Sequence, residues 1–223
     1  MRVALEFFPV LEEWPLLLTG IAWTLLLTAA STFFGLLLGT VCAYLRTQGP
    51  EWCRPCIVGY VELIRNTPFI VQLFFIFFAL PAAGIRLSAE VASVLAMVIN
   101  LGAYSAEIVR AGIQATPRGQ IEAALSLSLT HRQVFTRVVL PPALQRVWPA
   151  LVSQIIIVML GSAVCGQIST EELSYAANLI QSRNFRAFEA FIVATVLYLV
   201  LSVFVRHFFQ WFGRRFVFGA SRG

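Results

Sequence analysis

The chain has 223 residues, of which 59% are hydrophobic and only 12% are charged, and its formal net charge is +5. A soluble domain usually carries about 25% charged residues, so this composition cannot cover a water-exposed surface, whereas a lipid-exposed surface needs few charges. Composition therefore excludes an ordinary soluble domain and predicts a single integral membrane domain.

Long apolar segments recur along the chain. A helix needs about 20 residues to cross the hydrocarbon core of a bilayer, and residues 15–45 contain no charged side chain. Such segments are far longer than the roughly 10-residue alternating strands of membrane barrels. We predict an all-α membrane protein with five transmembrane helices, whose approximate bounds are 16–45, 56–80, 89–112, 145–166 and 187–210.

We take residues 16–215 as the membrane domain. The segments outside it are short. Residues 1–15 carry Glu6, Glu12 and Glu13 against one arginine. The apolar segment that follows is about twice as long as the 7–15-residue core of a signal peptide. We therefore expect residues 1–15 to be a segment outside the membrane and not a cleaved signal, and residues 216–223 to be a tail at the other end.

The arginines predict the orientation of the chain. If the predicted loops alternate between the two sides of the membrane, eleven of the sixteen arginines fall on one side and only four on the other. Basic residues collect in cytoplasmic loops. The N-terminus is then periplasmic and the C-terminus cytoplasmic. This bias accounts for the net charge, so nucleic acid is not an expected partner.

The sequence contains neither lysine nor aspartate. A Walker A loop needs a lysine that reaches the nucleotide phosphates, and pump ATPases need an aspartate as phosphate acceptor. We expect no catalytic residue and no nucleotide site in this chain, so ATP-driven transport would require a separate ATPase. Cys53 and Cys56 have C-x-x-C spacing but lack the further ligands of a zinc site. We interpret them as small apolar residues and predict no metal site.

Charged residues in the second and third predicted spans are candidates for a polar path, because charges inside a bilayer usually face protein or a cavity. In the second span Glu62, Arg65 and Gln72 fall on one helical stripe. Glu107 and Arg110 of the third span are expected at the depth of Glu62 and Arg65. The alternative for these four charges is a structural ion-pair network between the two spans.

Other polar positions lie nearer to the predicted centre of the membrane. Asn100 shares a face of the third span with Tyr104, and in the fourth span Gln154 and Gly161 are two turns apart. Their alternative role is helix packing through amide and small side chains. Pro68 is predicted to kink the second span, either for packing or to free backbone carbonyls for a ligand. The candidate substrate path comprises Arg65, Gln72, Asn100, Tyr104, Glu107, Gly161 and Ser162.

The longest predicted cytoplasmic segment contains two short helices. Thr116 is predicted to cap the first helix, with Pro117 at its first position. Thr130 and Gln133 have the spacing of a capping box that starts the second helix. We expect that helix to end at Pro141, because proline blocks continuation of a helix. Without further information, this segment is either an amphipathic loop on the membrane or a docking surface.

The same segment, residues 116–141, resembles the EAA motif of ABC importer permeases, which reads EAA, three residues, G, nine residues, I, one residue and LP. All spacings of that motif are met, at Glu122, Ala123, Ala124, Ser128, Val138, Leu140 and Pro141. Ser128 replaces the glycine, which is costly if the corner needs a positive φ. In the family, this loop forms the coupling helix that docks in a groove of the cytosolic ATPase.

The resemblance extends over residues 16–215, and residues 60–68, 71–75 and 103–114 are similar to the polar amino-acid uptake branch of these permeases. It implies a type I ABC importer permease fold in the bacterial inner (plasma) membrane. The implied partners are a second permease subunit, in a homo- or heterodimer, and an ABC ATPase dimer that carries ATP and Mg²⁺. A periplasmic binding protein would deliver a polar amino acid.

One departure bears on the substrate. Many relatives that take up basic amino acids carry Lys-Asp-Thr-Ser in the fourth span, where this chain has Leu160, Gly161, Ser162 and Ala163. The missing carboxylate argues against a cationic substrate. It favours a neutral or acidic amino acid, or a related zwitterion such as an opine, unless the partner permease carries the binding groups.

Two other functions compete with an importer permease. One is a stand-alone secondary transporter or channel, and the other is a membrane scaffold without transport. Secondary transporters commonly show internal repeats with matched broken helices, and five unmatched spans do not fit that architecture. The intramembrane charges and the EAA-like loop argue against a scaffold.

Overall fold

A computed structural model describes residues 5–217, and all regular secondary structure in that range is helical. The helices are α1 Phe8–Leu11, α2 Trp14–Gln48, α3 Cys53–Arg65, α4 Phe69–Ala82, α5 Ala89–Gln114, α6 Arg118–Ser126, α7 His131–Ile168, α8 Leu173–Asn184 and α9 Ala187–Phe212. Helices α2, α5, α7 and α9 are each long and apolar enough to cross a membrane. The all-α prediction is confirmed, and five spans result when α3 and α4 form one broken crossing.

The fourth span starts earlier than the predicted residue 145, because Pro141 does not end a helix. It follows a π-helical stretch, Val134–Val139, and lies in the first turn of an α-helical stretch that continues to Gly161. A π-helical turn is wider than an α-helical turn and shifts the hydrogen bonds from i−4 to i−5. The wider turn accommodates the missing N–H and the ring of proline, which would interrupt a regular α-helix.

The most extensive helix contact in the bundle is between α2 and α5. Gly35 and Gly39 lie one turn apart on α2, and a Cβ on Gly39 would collide with the Ser105 hydroxyl of α5. That hydroxyl contacts the Gly35 carbonyl oxygen at 3.2 Å and donates to the carbonyl of Leu101 at 2.6 Å. Small residues permit this close approach. In lipid, the resulting van der Waals packing drives helix association in place of the hydrophobic effect.

The second span is broken, and α3 and α4 meet at an angle of 110°. Pro68 precedes α4 with extended backbone angles. Gln72 replaces the helical hydrogen bonds that are lost at the break, because its Nε2 donates to the carbonyls of Ile64 (2.8 Å) and Thr67 (3.1 Å). These replacement hydrogen bonds are required because the bilayer core offers no water to backbone polar groups.

The break also removes the polar stripe predicted for the second span. Glu62 and Arg65 are exposed on α3, whereas Gln72 lies on the next helix and is buried. The stripe required one continuous helix across Pro68, and a bend of 110° directs the two halves to different surroundings.

The N-terminal segment lies at the end of the bundle opposite to α6. Glu6 forms an ion pair with Arg186 in the connection between α8 and α9, and Glu13 contacts Arg183 in the last turn of α8 at 3.4 Å. Helix α6 precedes α7, and α8 follows it, which places these two short helices at opposite ends. The orientation of these ends across the membrane stays a prediction.

Helix α8 begins at a fully buried carboxylate. Glu172 accepts hydrogen bonds from the backbone N–H groups of Ser174 (2.9 Å) and Tyr175 (2.8 Å) and from the hydroxyl of Tyr198. Burial raises the pKa of the Glu172 carboxyl, although the three hydrogen bonds act in the opposite direction. Folding therefore favours the protonated carboxyl.

We expect Gln72→Leu to lower the thermal stability of the detergent-solubilised protein. The substitution keeps an apolar side chain of similar length but leaves the buried carbonyls at the break without donors, at about 1–3 kcal/mol for each unsatisfied group. Gln167→Leu, on an exposed glutamine of α7, is the matched control. Equal unfolding temperatures for the two variants would show that Gln72 does not hold the break.

The buried Glu172 predicts a pH dependence of stability. Its contribution is fully present below the unfolded carboxyl pKa, about 4.3, and is lost as the pH rises through the higher folded pKa. As the pH rises above about 4.3, the unfolding temperature of wild type should fall relative to that of Glu172→Gln, which cannot ionise. Glu171→Gln removes an exposed carboxylate and should follow wild type. Parallel profiles for wild type and Glu172→Gln would contradict this assignment.

Candidate functional site

A cavity of about 470 Å³ opens beside the broken span, where α4, α5 and α7 face one another. It is lined by Thr67, Pro68, Phe69, Asn100, Tyr104, Gln154, Ile157, Val158, Gly161 and Val164. Its volume lies within the roughly 300–1,000 Å³ of typical small-molecule sites. The polar lining groups are hydroxyls and amides, and none of these lining residues is acidic.

The break in the second span shapes this cavity. Thr67 and Pro68 lie on its wall because the chain leaves the helical path there. Gln72 lies behind the wall, and its Oε1 accepts a hydrogen bond from Asn100 Nδ2 at 3.1 Å. The side chain that compensates the broken backbone thus also orients an amide of the lining.

A positive charge lies next to the cavity wall. Arg65 ends α3, and its guanidinium carbon is 5.5 Å from the centroid of the Tyr104 ring. This is a cation–π distance, and the same ring lines the cavity. Arg65 itself is exposed, so its charge is available to an anionic group near Tyr104.

The predicted path residues divide into three groups. Asn100, Tyr104 and Gly161 line the cavity, whereas Arg65 and Gln72 contact lining residues without being part of the wall. Two predicted residues lie elsewhere.

Ser162 is one of these two residues. It is fully buried, and its hydroxyl donates to the carbonyl of Met159 at 2.7 Å. Gln154 lines the cavity although it was not placed in the predicted path. The signal for it was its distance of two helical turns from Gly161, on the same face of α7.

Glu107 belongs to an ion-pair cluster away from the cavity. Its carboxylate pairs with Arg46 of α2 and with Arg110 of its own helix, whose Nε and Nη2 donate at 3.1 and 2.6 Å. The predicted network between spans two and three is therefore wrong, because the cluster joins α2 to α5. Glu62 instead accepts a hydrogen bond from the Asn66 side chain. Sequence spacing could not show that the close α2–α5 contact brings Arg46 to Glu107.

At the other end of α7, α6 and the start of α7 form a helical hairpin. Its first helix, α6, is preceded by Pro117 in extended conformation, so Pro117 and not Thr116 occupies the capping position. The second arm begins with the predicted capping box, in which Thr130 N–H donates to Gln133 Oε1 at 2.9 Å and Gln133 N–H donates to Thr130 Oγ1.

The corner of the hairpin lies at Ser128, whose φ is 60°. This left-handed conformation costs a non-glycine residue roughly 1–2 kcal/mol. The geometry explains why the EAA motif carries glycine here, and serine adopts the same conformation at an energetic cost.

The outer face of the hairpin combines a carboxylate with small and apolar groups. Glu122 and Ala123 are exposed, as is Leu127 with 77% of its surface accessible, whereas Ala124 is buried. Leu140 and Pro141 are half-buried within α7. The last two residues therefore support the hairpin from within, and only part of the EAA-like set is available to another protein.

Comparison with known proteins places the chain in a family. Residues 35–218 match the family described as binding-protein-dependent transport system inner membrane component. The chain is 37% identical over 171 residues to the L-cystine transport system permease protein TcyB of Bacillus subtilis, covering 77% of this chain and 73% of that protein. It is 35% identical over 191 residues to the glutamine transport system permease protein GlnP of Escherichia coli, covering 85% and 87%.

A crystal structure of an amino acid ABC transporter with histidines has the same fold, with a TM-score of 0.86 and 35% sequence identity over 96% of this chain and 100% of that one. These similarities support an importer subunit over a stand-alone transporter or channel. The chain belongs to the family of binding-protein-dependent transport system inner membrane components and is the permease subunit of an ABC importer, in which a separate ATPase hydrolyses ATP.

Proposed function

We propose that this permease carries a neutral polar amino acid, or a related zwitterion such as an opine, through the cavity beside the broken span. The supporting observation is the chemistry of the lining. Neutral amides at Asn100 and Gln154 and the hydroxyl of Tyr104 can bind an ammonium group and a polar side chain. Arg65, stacked on Tyr104, is suited to the α-carboxylate.

The substrates named for two relatives agree with this class, because cystine and glutamine are both zwitterions without a net positive charge. A cationic amino acid fits less well. Its side chain would meet Arg65 nearby and no carboxylate among the described residues of the lining.

We further propose that the hairpin is the contact for the ABC ATPase dimer. Glu122 and Ala123 face outward on α6, and Ser128 sets the angle between the arms. Helix α7 runs from the hairpin at His131 through the cavity residues Gln154 and Gly161. Movement of the hairpin on the ATPase would therefore be transmitted along one helix to the cavity wall.

The two ends of the bundle differ in the partners that we assign to them. We propose that the end with Glu6 and α8 is periplasmic and receives substrate from a binding protein, whereas the hairpin and the arginine-rich end of α9 are cytoplasmic. A second permease subunit, identical or different, completes the pathway in the bacterial inner membrane. Closure of the ATPase dimer then switches the pair from inward-facing to outward-facing.

Reversing one charge on the hairpin tests the ATPase contact. We expect Glu122→Arg to reduce co-purification of the ATPase at least tenfold and to abolish uptake, because the exposed carboxylate would be replaced by a bulky cation. Glu51→Arg reverses an exposed charge on the loop between α2 and α3, at the same end of the bundle, and is the matched control. Normal ATPase association of Glu122→Arg would exclude the docking role.

Filling the cavity tests the substrate path. A Cβ on Gly161 would meet no atom within 4 Å, so Gly161→Leu should fold normally while its side chain occupies the cavity. We expect loss of uptake in proteoliposomes that contain the complete transporter, with Gly161→Ala less affected. Gly59→Leu is the matched control, since Gly59 is a helical glycine with equally open surroundings outside the cavity.

The same assay, with the cognate binding protein and a panel of labelled amino acids, measures the substrate class. Neutral polar amino acids should be transported best. Full uptake by a stable Gly161→Leu variant would contradict the proposed path, and preferential uptake of arginine or lysine would contradict the proposed class.

A further inference from the structure

A second cavity, of about 520 Å³, lies between α7 and α9 at the hairpin end of the bundle. Its apolar floor is formed by Trp148, Pro149 and Val152 of α7. Its polar rim consists of Ser153 of α7 and of three residues at the C-terminal end of α9 and just beyond it, namely Arg206, Gln210 and Arg214. We call this second cavity the groove. It is separate from the cavity beside the broken span, and the transport path proposed above makes no use of it.

Trp148 gives this groove a defined shape. The indole Nε1 donates to the carbonyl of Phe209 at 3.0 Å, and the ring stacks on Phe212 with a centroid distance of 6.1 Å. A Cβ at Gly213 would collide with the indole, so glycine permits this close packing. The floor is therefore fixed by specific contacts between α7 and the end of α9.

Two arginines carry the positive charge of this rim. Arg206 and Arg214 are eight residues apart with Gln210 midway, which places all three on one face of α9 and its π-helical extension, Gly213–Val217. Both arginines are exposed, and neither takes part in the ion pairs found within residues 5–217. No lining residue is acidic. The groove thus combines two available positive charges with an apolar floor.

The position of the groove identifies the class of ligand. Exposed Phe208, Trp211 and Phe216 surround the same end of α9, as expected for an aromatic belt at a membrane interface. Basic pockets between transmembrane helices at such an interface bind anionic lipid head groups. Guanidinium groups bind phosphate oxygens in bidentate geometry.

We propose that this groove binds one anionic phospholipid. Its phosphate lies between Arg206 and Arg214, the hydroxyls of its head group contact Gln210 and Ser153, and an acyl chain covers the apolar floor. The apolar floor distinguishes a lipid from free phosphate, which offers no apolar group to cover the exposed Pro149. Because α7 also carries the hairpin and a wall of the cavity beside the broken span, the lipid contacts the helix that would transmit movement between them under the proposed function.

The test extracts the complete transporter into detergent from proteoliposomes of phosphatidylcholine that contain graded amounts of phosphatidylglycerol. Phosphatidylglycerol retained per permease is measured by mass spectrometry after purification. Arg206→Gln and Arg214→Gln should each weaken retention about fivefold, with the double variant near background. Arg215→Gln, which removes the neighbouring exposed arginine outside the groove, should behave as wild type. Unchanged unfolding temperatures and ATPase association confirm that the variants fold.

Three results would overturn the assignment. The first is equal retention by the double variant and wild type. The second is displacement of phosphatidylglycerol by millimolar inorganic phosphate, which would indicate a site for a soluble anion. The third is efficient cross-linking of Ser153→Cys to the second permease subunit, which would show that the groove is a subunit interface.

Discussion

The structure depends on how the backbone carbonyls freed by one break in a membrane helix obtain hydrogen-bond donors. Lipid offers no hydrogen-bond partner to a backbone carbonyl, so the chain can bend by 110° at Pro68 only because Gln72 supplies donors to Ile64 and Thr67. The same side chain accepts from Asn100 on α5. A cavity with polar groups in its wall is thus obtained inside an apolar bundle, and its geometry depends on a residue that is not part of the wall.

Helix α7 connects the hairpin to the wall of the cavity beside the broken span. A π-helical stretch carries it through Pro141, so one element extends from the hairpin to Gly161 in the cavity wall. A helix broken at the proline, as the sequence had suggested, would leave the hairpin on a flexible joint. If the hairpin docks on the ATPase as proposed, this continuity lets it act as a lever, and the corner at Ser128 sets the angle between its arms.

The other helices of the bundle are held together by short-range contacts. Gly35 and Gly39 let α2 lie directly on α5, and the Glu107 cluster joins the same two helices by charge. At the opposite end, Glu172 starts α8 within the core. The lipid groove proposed at Arg206 would add the membrane itself to the contacts that hold α7 against α9.

The sequence by itself determined the fold class, the spans, the EAA-like hairpin with its capping box at Thr130, and three cavity residues, because hydropathy, capping and spacing are local properties. It ended a helix at Pro141, where the structure shows a continuous helix. Glu107 and Ser162, which it placed on the substrate path, lie outside the lining of the cavity. Which helices touch was decided only by tertiary packing. Close contact through glycines brings Arg46 to Glu107, and the break at Pro68 turns Gln72 behind the wall, neither of which spacing along one helix can reveal.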